Sequence, residues 1–246
     1  MKPLLTLCIA TTLLASVATH AETIIFQDDF TTANGKAALL NTHRPATSIN
    51  GTGWQFTSAS DKPNTEPYIH QDGTVRTRFN GAGYVSLAST DAYTKPATLT
   101  LQADLTLNTL DGPAAAGAGI ALGFYKATPL PRGNETTVNF LGLIIDQAGK
   151  LSLIDSSVTN AKKIHASVAL PDFDATRPVT LRYTINTTTG GITNVTCDGA
   201  DYTAAFQNVT GLFTDSATHY AAFLGRANSK PSASANVDNF RVTTAD

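Results

Sequence analysis

Glutamate, methionine, cysteine and tryptophan are all scarce in this sequence of 246 residues. It contains two cysteines, one methionine, one tryptophan and three glutamates, and only 15% of its residues are charged. Long helices are built largely from residues such as Glu, Lys and Met, so none are expected, whereas the usage of Thr, Val, Asn and Gly favours strands and turns. The composition therefore predicts an all-β protein.

The charge of the chain is also small and balanced. Seventeen Lys and Arg residues oppose 19 Asp and Glu residues, which leaves a formal net charge of −2. A nucleic-acid-binding protein would show a basic patch, and a disordered tail would show a block of like charges. We therefore expect no nucleic-acid partner. The 42% hydrophobic content is sufficient for a packed core.

The first 21 residues have the features of a secretory signal peptide. Lys2 precedes an apolar stretch from Leu4 to Val17, and the small residues Thr19 and Ala21 stand where a signal peptidase cleaves. The apolar stretch is too short, and too often interrupted by Thr and Ser, for a membrane span. We expect a secreted or periplasmic protein with no stable membrane insertion and with a single domain over residues 22–246.

After residue 21, Cys197 is the only cysteine. This excludes an intramolecular disulfide and a thiolate metal cluster in the predicted mature chain. Cys197 is either a reactive or dimer-forming thiol, or a small hydrophobic residue that shares the buried face of a strand with Val195. We favour the second interpretation, because free cysteine is among the most buried residue types.

Apolar and polar residues alternate along most of the chain after residue 22. In the segment 98–107 the alternation has a period of two, which is typical of a strand with one buried face, and the segments 118–125 and 179–185 repeat it. Turn sequences such as Asp198-Gly199 separate these segments from weaker predicted strands, the first of them at 23–30. Ten or eleven such strands predict a two-sheet antiparallel β-sandwich.

Four segments resemble a known superfamily. They are IIFQDDF at 24–30, GIALGFY at 119–125, VTCDG at 195–199 and VDNFRV at 237–242. In order and spacing they are similar to the concanavalin A-like lectin/glucanase superfamily, and most similar to laminin-G-like jelly-roll domains of secreted bacterial proteins. The resemblance implies two curved antiparallel sheets with the first and last strands side by side. It also implies glycan binding, adhesion or, in some branches, polysaccharide cleavage.

The acidic residues do not match the glucanase branch. That branch carries the pattern E-x-D-x-x-E, because a retaining glycosidase needs two carboxyl groups about 5 Å apart. The three glutamates of this chain are far apart in sequence, and the remaining candidate pair is Asp146 and Asp155, which could face each other across one predicted hairpin. For a lyase, Tyr125, His219, Arg226 and Gln147 are available, but no motif connects them.

We therefore favour a secreted, non-catalytic carbohydrate-binding or adhesive module. The alternatives are a polysaccharide-acting hydrolase or lyase of the same superfamily, or a structural protein of the cell envelope. The expected partner is a polysaccharide or another glycan.

Sugar binding requires aromatic faces and a few directed polar groups in a concavity. The outer face of the predicted strand 119–125 carries three small residues followed by Tyr125. This pattern predicts a shallow groove with Tyr125 as its wall, and the other candidates for the glycan site are Trp54, Tyr220, Arg226 and Gln147. Alternatively, Trp54 and Tyr220 are core aromatics, and the small residues let a covering loop pack closely.

Three aspartates are candidate ligands of a structural calcium ion. Asp28 and Asp29 belong to the predicted first strand and Asp238 to the last, and the resemblance places these strands together. Ca²⁺ takes six to eight oxygen ligands, many of them carboxylates. The alternative is that these aspartates cap strand ends and bind only water.

Overall fold

The computed structural model describes residues 22–32, 37–48, 51–57, 67–78, 81–87, 97–107, 119–125, 140–155, 163–210, 220–226 and 234–244. Within these residues there are seventeen strands, two short 3₁₀ helices at Leu40–Thr42 and Thr203–Ala205, and no α-helix. The strands are β1 (Thr23–Asp28), β2 (Ala38–Leu39), β3 (Thr47–Ser48), β4 (Gln55–Thr57), β5 (Tyr68–Ile69), β6 (Val75–Arg78), β7 (Ala82–Ser86), β8 (Thr98–Thr106), β9 (Gly119–Tyr125), β10 (Phe140–Asp146), β11 (Lys150–Asp155), β12 (Lys163–Ala169), β13 (Val179–Asn186), β14 (Gly191–Cys197), β15 (Ala200–Asp201), β16 (Tyr220–Arg226) and β17 (Ser234–Thr244).

The strands form two antiparallel sheets. The ten-stranded sheet has the order β15-β14-β13-β8-β17-β6-β5-β2, with β1 beside β17 and β3 beside β1. The seven-stranded sheet has the order β12-β11-β10-β9-β16-β7-β4. The predicted all-β, two-sheet antiparallel sandwich is confirmed. The first and last strands also lie side by side, with Thr23 opposite Thr244 and Asp28 opposite Phe240.

The main core lies between the two sheets. Strands β8 and β13 bury every second residue, as their alternating sequences predict. Cys197 belongs to this core together with Val195, and it is 5% exposed. Burial raises the pKa of its thiol to about 11. The interpretation of Cys197 as a small core residue is therefore confirmed.

The central strands of the seven-stranded sheet are buried on their outer face as well. A second apolar cluster lies on that face and contains Ala82, Tyr84, Ala121, Tyr125, Phe140, Ile144, Ile154, Ala222 and Leu224. All seven residues of β9 are buried. The centre of this sheet is therefore buried on both faces, whereas the ten-stranded sheet has a polar outer face.

The first strand is shorter than predicted. It ends at Asp28 rather than continuing to residue 30, because Phe30 has a φ of 53° and therefore leaves the extended conformation. Among the described residues, no helix has the length and apolar character that a membrane span requires.

Candidate functional site

Four aromatic side chains lie together on the outer face of the seven-stranded sheet, and we call this group the aromatic outer face: Tyr84, Tyr125, Phe140 and Tyr220. Tyr125 stands directly opposite Phe140 on one side and Tyr220 on the other. The ring centroids of Tyr125 and Phe140 are 5.1 Å apart, and those of Tyr84 and Tyr220 are 5.8 Å apart. The sheet register thus brings Tyr125 and Tyr220 together, as the glycan-site prediction requires.

The predicted groove, however, is filled. Tyr125 is 0% exposed, and burial raises the pKa of its hydroxyl well above the ordinary value. A Cβ atom placed on Gly123 would collide with the ring of Phe140 and the carbonyl oxygen of Leu141. The small residues of β9 therefore make room for an aromatic side chain of the neighbouring strand. The prediction that Tyr125 forms the wall of an open groove is wrong, whereas Tyr220 is only partly buried.

The predicted polar candidates lie at the other end of this sheet. Asp146, Gly119 and Arg226 stand opposite one another on β10, β9 and β16, and Gln147 follows in the turn. Arg226 is six residues from Tyr220 along β16, which corresponds to about 20 Å in an extended strand. Arg226 and Gln147 are therefore not brought together with the tyrosines.

The candidate acid pair is also separated. Asp155 stands opposite Leu141 at one end of the β10–β11 hairpin, whereas Asp146 lies at the other end, next to the turn. The Asp146 carboxylate accepts hydrogen bonds from the backbone N–H groups of Ala148 and Lys150 at 3.0 Å and 2.9 Å. Asp146 is thus a turn cap, and the prediction that it faces Asp155 is wrong.

Trp54 lies in the core between the sheets. It is 2% exposed, and its ring packs against four phenylalanines at centroid distances of 5.0 to 5.4 Å: Phe26, Phe30, Phe223 and Phe240. Its indole N–H donates a hydrogen bond of 2.6 Å to Asp28 Oδ2. The assignment of Trp54 to a glycan site is therefore wrong, and the alternative of a core aromatic is correct.

Asp28 is a buried acceptor at the end of β1. It is 0% exposed, and its Oδ1 accepts from the backbone N–H of Phe30 at 2.8 Å and lies 2.9 Å from His43 Nε2. Burial raises the pKa of the Asp28 carboxyl, and the hydrogen bonds from His43, Phe30 and Trp54 oppose that rise. Since a left-handed backbone costs a bulky residue about 1–2 kcal/mol, this carboxylate also holds Phe30 in place.

Asp238 lies in a different environment from Asp28. It stands opposite Asp104 of β8, on the outer face of the ten-stranded sheet. Burial is the main cause that raises the pKa of the Asp238 carboxyl, and the negative charges of Asp104, Asp29 and Asp72 raise it further, against a hydrogen bond from the backbone N–H of Asn239. Four aspartates therefore share one negative region, which we call the acidic edge.

The three predicted calcium ligands do not form one set. Both oxygens of Asp28 accept hydrogen bonds in the core, whereas Asp29 is exposed and Asp238 belongs to the acidic edge. In the described part of the chain, no group of three or more His, Cys, Asp or Glu side chains is arranged to hold a metal ion. Asp28 does not fit a calcium site, and calcium binding by Asp29 and Asp238 stays a prediction.

A cavity that the sequence analysis missed lies at the edge of the sandwich. It has a volume of about 220 Å³ and is formed by the segments 170–179 and 197–202, and we call it the end pocket. The first segment connects β12 of one sheet to β13 of the other, and the second contains the β14–β15 turn. The only signals in the sequence were the cluster Pro171-Asp172-Phe173-Asp174 and the turn Asp198-Gly199.

The end pocket combines apolar walls with charged side chains. Phe173 and Tyr202 pack against the main core, and Asp172, Asp174, Asp198 and Arg177 are exposed around them. Such a mixture of aromatic and directed polar groups in a concavity is the arrangement expected of a small-ligand site.

Comparisons with known proteins agree with the fold. No protein-family model and no curated protein matches the sequence. Among solved structures, the endo-1,3-beta-glucanase from Streptomyces sioyaensis has a TM-score of 0.57 at 17% identity, over 92% of this chain and 97% of the glucanase. The carbohydrate recognition domain of Emp47p has a TM-score of 0.52 at 17% identity, over 88% of this chain and all of that domain.

Lectin UEA-II, solved in complex with galactose, is a third similar structure. Its TM-score is 0.50 at 10% identity, over 78% of this chain and 92% of the lectin. Together with the two antiparallel sheets, these likenesses show that the chain has the concanavalin A-like lectin/glucanase fold.

Proposed function

We propose that this protein is a non-catalytic carbohydrate-binding or adhesive module. The fold is shared with a carbohydrate recognition domain, a lectin that binds galactose and a glucanase, so carbohydrate is the ligand class that its structural neighbours have in common. Because one fold can host several activities, the choice between binding and cleavage must come from the side chains of this chain.

The observation that favours binding is the chemistry of the outer face of the seven-stranded sheet. Its central strands β9, β10 and β16 carry glycine, alanine, aliphatic and aromatic residues there, and Asp146 is the single acid among their described side chains. Glycosidases of the retaining and inverting types need two carboxyl groups, about 5–5.5 Å or about 6.5–9.5 Å apart. Asp146 has no such partner among the described residues of that face.

Electrophoresis of the chain 22–246 through gels that contain single polysaccharides tests this proposal. We expect at least one polysaccharide to retard the protein, while assays for reducing ends and for the ultraviolet absorbance of unsaturated products stay at background. Product formation would contradict the proposal in favour of a hydrolase or lyase. No retardation and no product would instead favour a structural protein of the envelope.

We also propose that the protein acts outside the cytoplasm. The support is the sequence of residues 1–21, which lie outside the described residues. Expression of the full chain in a bacterium, followed by mass spectrometry of the periplasmic fraction, should give a mature protein that begins at Glu22. An uncleaved protein that stays in the cytoplasm would contradict this.

A further inference from the structure

We infer that the end pocket binds a single neutral hexose ring, such as the terminal residue of a glycan. This inference rests on the proposed carbohydrate-binding function and adds to it a location and a ligand class. The sequence candidates Tyr125 and Trp54 are buried in other parts of the molecule, so neither can contribute to this site.

The size of the end pocket suits one ring. Its volume of about 220 Å³ is smaller than the roughly 300–1,000 Å³ of pockets that enclose drug-sized ligands. The cavity is closed on its inner side by Leu170, Val179 and Cys197, which are all nearly buried. A ligand must therefore enter from one side, which favours the end of a glycan over a segment in the middle of a chain.

The walls of the pocket offer surfaces for the C–H groups of a sugar. Phe173 and Tyr202 both line the cavity, and both are partly buried because they pack against the main core. An aromatic side chain presents an apolar face, and the tyrosine hydroxyl adds a polar group at its edge. These two rings can pack against the apolar face of a pyranose while its hydroxyl groups stay near the charged rim.

Two charged side chains of the rim are free to bind hydroxyl groups. Neither the Asp172 carboxylate nor the Arg177 guanidinium has a hydrogen-bond or ion-pair partner among the described residues. Asp172 can accept hydrogen bonds from sugar hydroxyls, and Arg177 can donate to sugar oxygens. Hydrogen bonds to ionised groups are stronger than those between neutral groups, so these two residues should orient the ring.

The other two acids fix the shape of the rim. Asp174 Oδ1 accepts from the backbone N–H and hydroxyl of Thr176 at 2.9 Å and 2.7 Å, and these bonds lower the pKa of the Asp174 carboxyl. Asp198 Oδ1 accepts from the backbone N–H of Thr180 at 2.7 Å. Both acids therefore restrain the backbone of the rim, which reduces the conformational entropy that is lost when a ligand binds.

A tight turn, a backbone hydrogen bond and a close contact also restrain the backbone around the pocket. Asp198 and Gly199 have φ values of 49° and 78°, which is the geometry of a two-residue type I′ hairpin turn. The Leu170 N–H donates to the carbonyl of Gly149 at 2.8 Å, and a Cβ on Gly149 would lie 2.6 Å from Phe173 Cβ. The close contact with Gly149 positions Phe173 in the pocket wall.

The charge of the rim disfavours an acidic ligand. Three carboxylates, those of Asp172, Asp174 and Asp198, surround one guanidinium, that of Arg177. A hexuronate or a sugar phosphate would add a negative charge to a site that already has an excess of two. Like charges in one site repel, so we expect acidic sugars to bind far more weakly than neutral hexoses.

The test uses the chain 22–246 and free sugars as probes. Ligand-detected NMR titrations should show binding of at least one of D-glucose, D-galactose, D-mannose and N-acetyl-D-glucosamine, and at least tenfold weaker binding of D-glucuronate. Asp172→Asn and Arg177→Ala should each weaken binding of that hexose at least tenfold. Arg44→Ala, which removes an exposed arginine outside the pocket, is the matched control and should leave binding unchanged.

Cys197 provides an independent measure of occupancy, because it lines the pocket and is the only cysteine of this chain after residue 21. A saturating hexose should slow the reaction of Cys197 with a thiol reagent at pH 9 at least fivefold. Glucuronate at the same concentration should leave the rate unchanged.

The outcomes separate this inference from the proposed function. If the wild-type chain binds polysaccharide but the two pocket variants bind equally well, or the bound hexose does not protect Cys197, the inference is wrong and the proposed function stands. Preferential binding of glucuronate would also overturn the choice of a neutral ring. If no polysaccharide in the gel panel retards the wild-type chain, the proposed function itself fails.

Discussion

The outer faces of the two sheets differ in chemistry. On the ten-stranded sheet, a polar row crosses four strands in direct register: Arg182, Gln102, Arg241 and Gln27. On the seven-stranded sheet, the corresponding row across three strands is Phe140, Tyr125 and Tyr220. The polar side chains of the first row can be solvated. In the second row, Phe140 and Tyr125 are buried and Tyr220 is partly buried.

This difference shows what strand periodicity can reveal. In strands of the ten-stranded sheet such as β8 and β13, apolar and polar residues alternate because only one face of the strand is buried. Strands such as β9 and β10 are buried on both faces. In β9, alternation between small and large residues replaces alternation between polar and apolar ones. A face made of glycine, alanine and tyrosine can thus be a packing surface rather than a binding groove.

The largest expected effect concerns a ring on the buried outer face. Tyr125→Ala removes a fully buried aromatic side chain, which should lower the free energy of unfolding by about 3–5 kcal/mol. Gln102→Ala, on the outer face of the other sheet, should change it by no more than about 0.5 kcal/mol. Urea unfolding followed by the fluorescence of Trp54 measures both. Equal effects of the two substitutions would show that the faces do not differ in packing.

The next effect tests the close approach of β9 and β10. A Cβ on Gly142 would collide with the Leu122 carbonyl oxygen and lie 2.6 Å from Gly123 Cα, so Gly142→Val should destabilise the fold by about 3 kcal/mol or more. Thr196→Val on the outer face of the ten-stranded sheet is the matched control, with an expected change within about 0.5 kcal/mol. A Gly142→Val protein with the wild-type urea midpoint would contradict this packing.

The third prediction concerns calcium binding at the acidic edge, on the outer face of the ten-stranded sheet. If the acidic edge holds the ion, then CaCl₂ at 100 times its dissociation constant should stabilise the protein by about 2.7 kcal/mol relative to EDTA. Differential scanning calorimetry would detect this as a higher melting temperature, and Asp238→Asn should abolish the increase. An unchanged melting temperature in the wild-type protein would remove calcium from consideration.

The smallest effect concerns Asp28, the buried acid between the sheets. Asp28→Asn replaces one acceptor oxygen by an amide that cannot accept, so we expect a loss of about 1.5 kcal/mol. The folded-state pKa of Asp28 lies above its ordinary value of 3.8, so the folded state binds the proton more tightly than the unfolded state. The stability that Asp28 contributes is therefore full below pH 3.8 and is lost as the pH rises through the folded-state pKa.

Urea midpoints between pH 3 and pH 7 measure this dependence. The advantage of the wild-type protein over Asp28→Asn should decrease as the pH rises. Asp29→Asn, at the exposed neighbouring position, is the control and should show no comparable decrease. A wild-type advantage that increases with pH would show that the carboxylate form is favoured in the core.

The β-sandwich could be predicted from sequence because polar and apolar residues alternate along strands of its ten-stranded sheet. The alternation in segment 98–107 identifies β8, and the strand assignment of Cys197 beside Val195 holds for the same reason. The adjacency of β1 and β17 followed from the resemblance, since no local pattern specifies a pairing between Thr23 and Thr244.

The candidate site was less predictable because its geometry depends on distant residues. The burial of Trp54 is linked to a hydrogen bond with Asp28, 26 residues earlier in the chain. Burial of Tyr125 depends on Phe140, which lies opposite it on another strand. The end pocket requires two segments that only the edges of the folded sheets bring together. Periodicity within one strand contains none of this information.

The position of β17 has a consequence for the order of folding. This strand pairs with β8, β6 and β1, so the ten-stranded sheet cannot close until residues 234–244 have been synthesised. The run β9-β10-β11-β12, in contrast, pairs in sequence order and can form while the rest of the chain is still being made. Because closure depends on contacts between the two ends of the described chain, folding should be slow, on the scale of milliseconds to seconds or longer. Until β17 arrives, a nascent chain exposes the unpaired edges of β1 and β8.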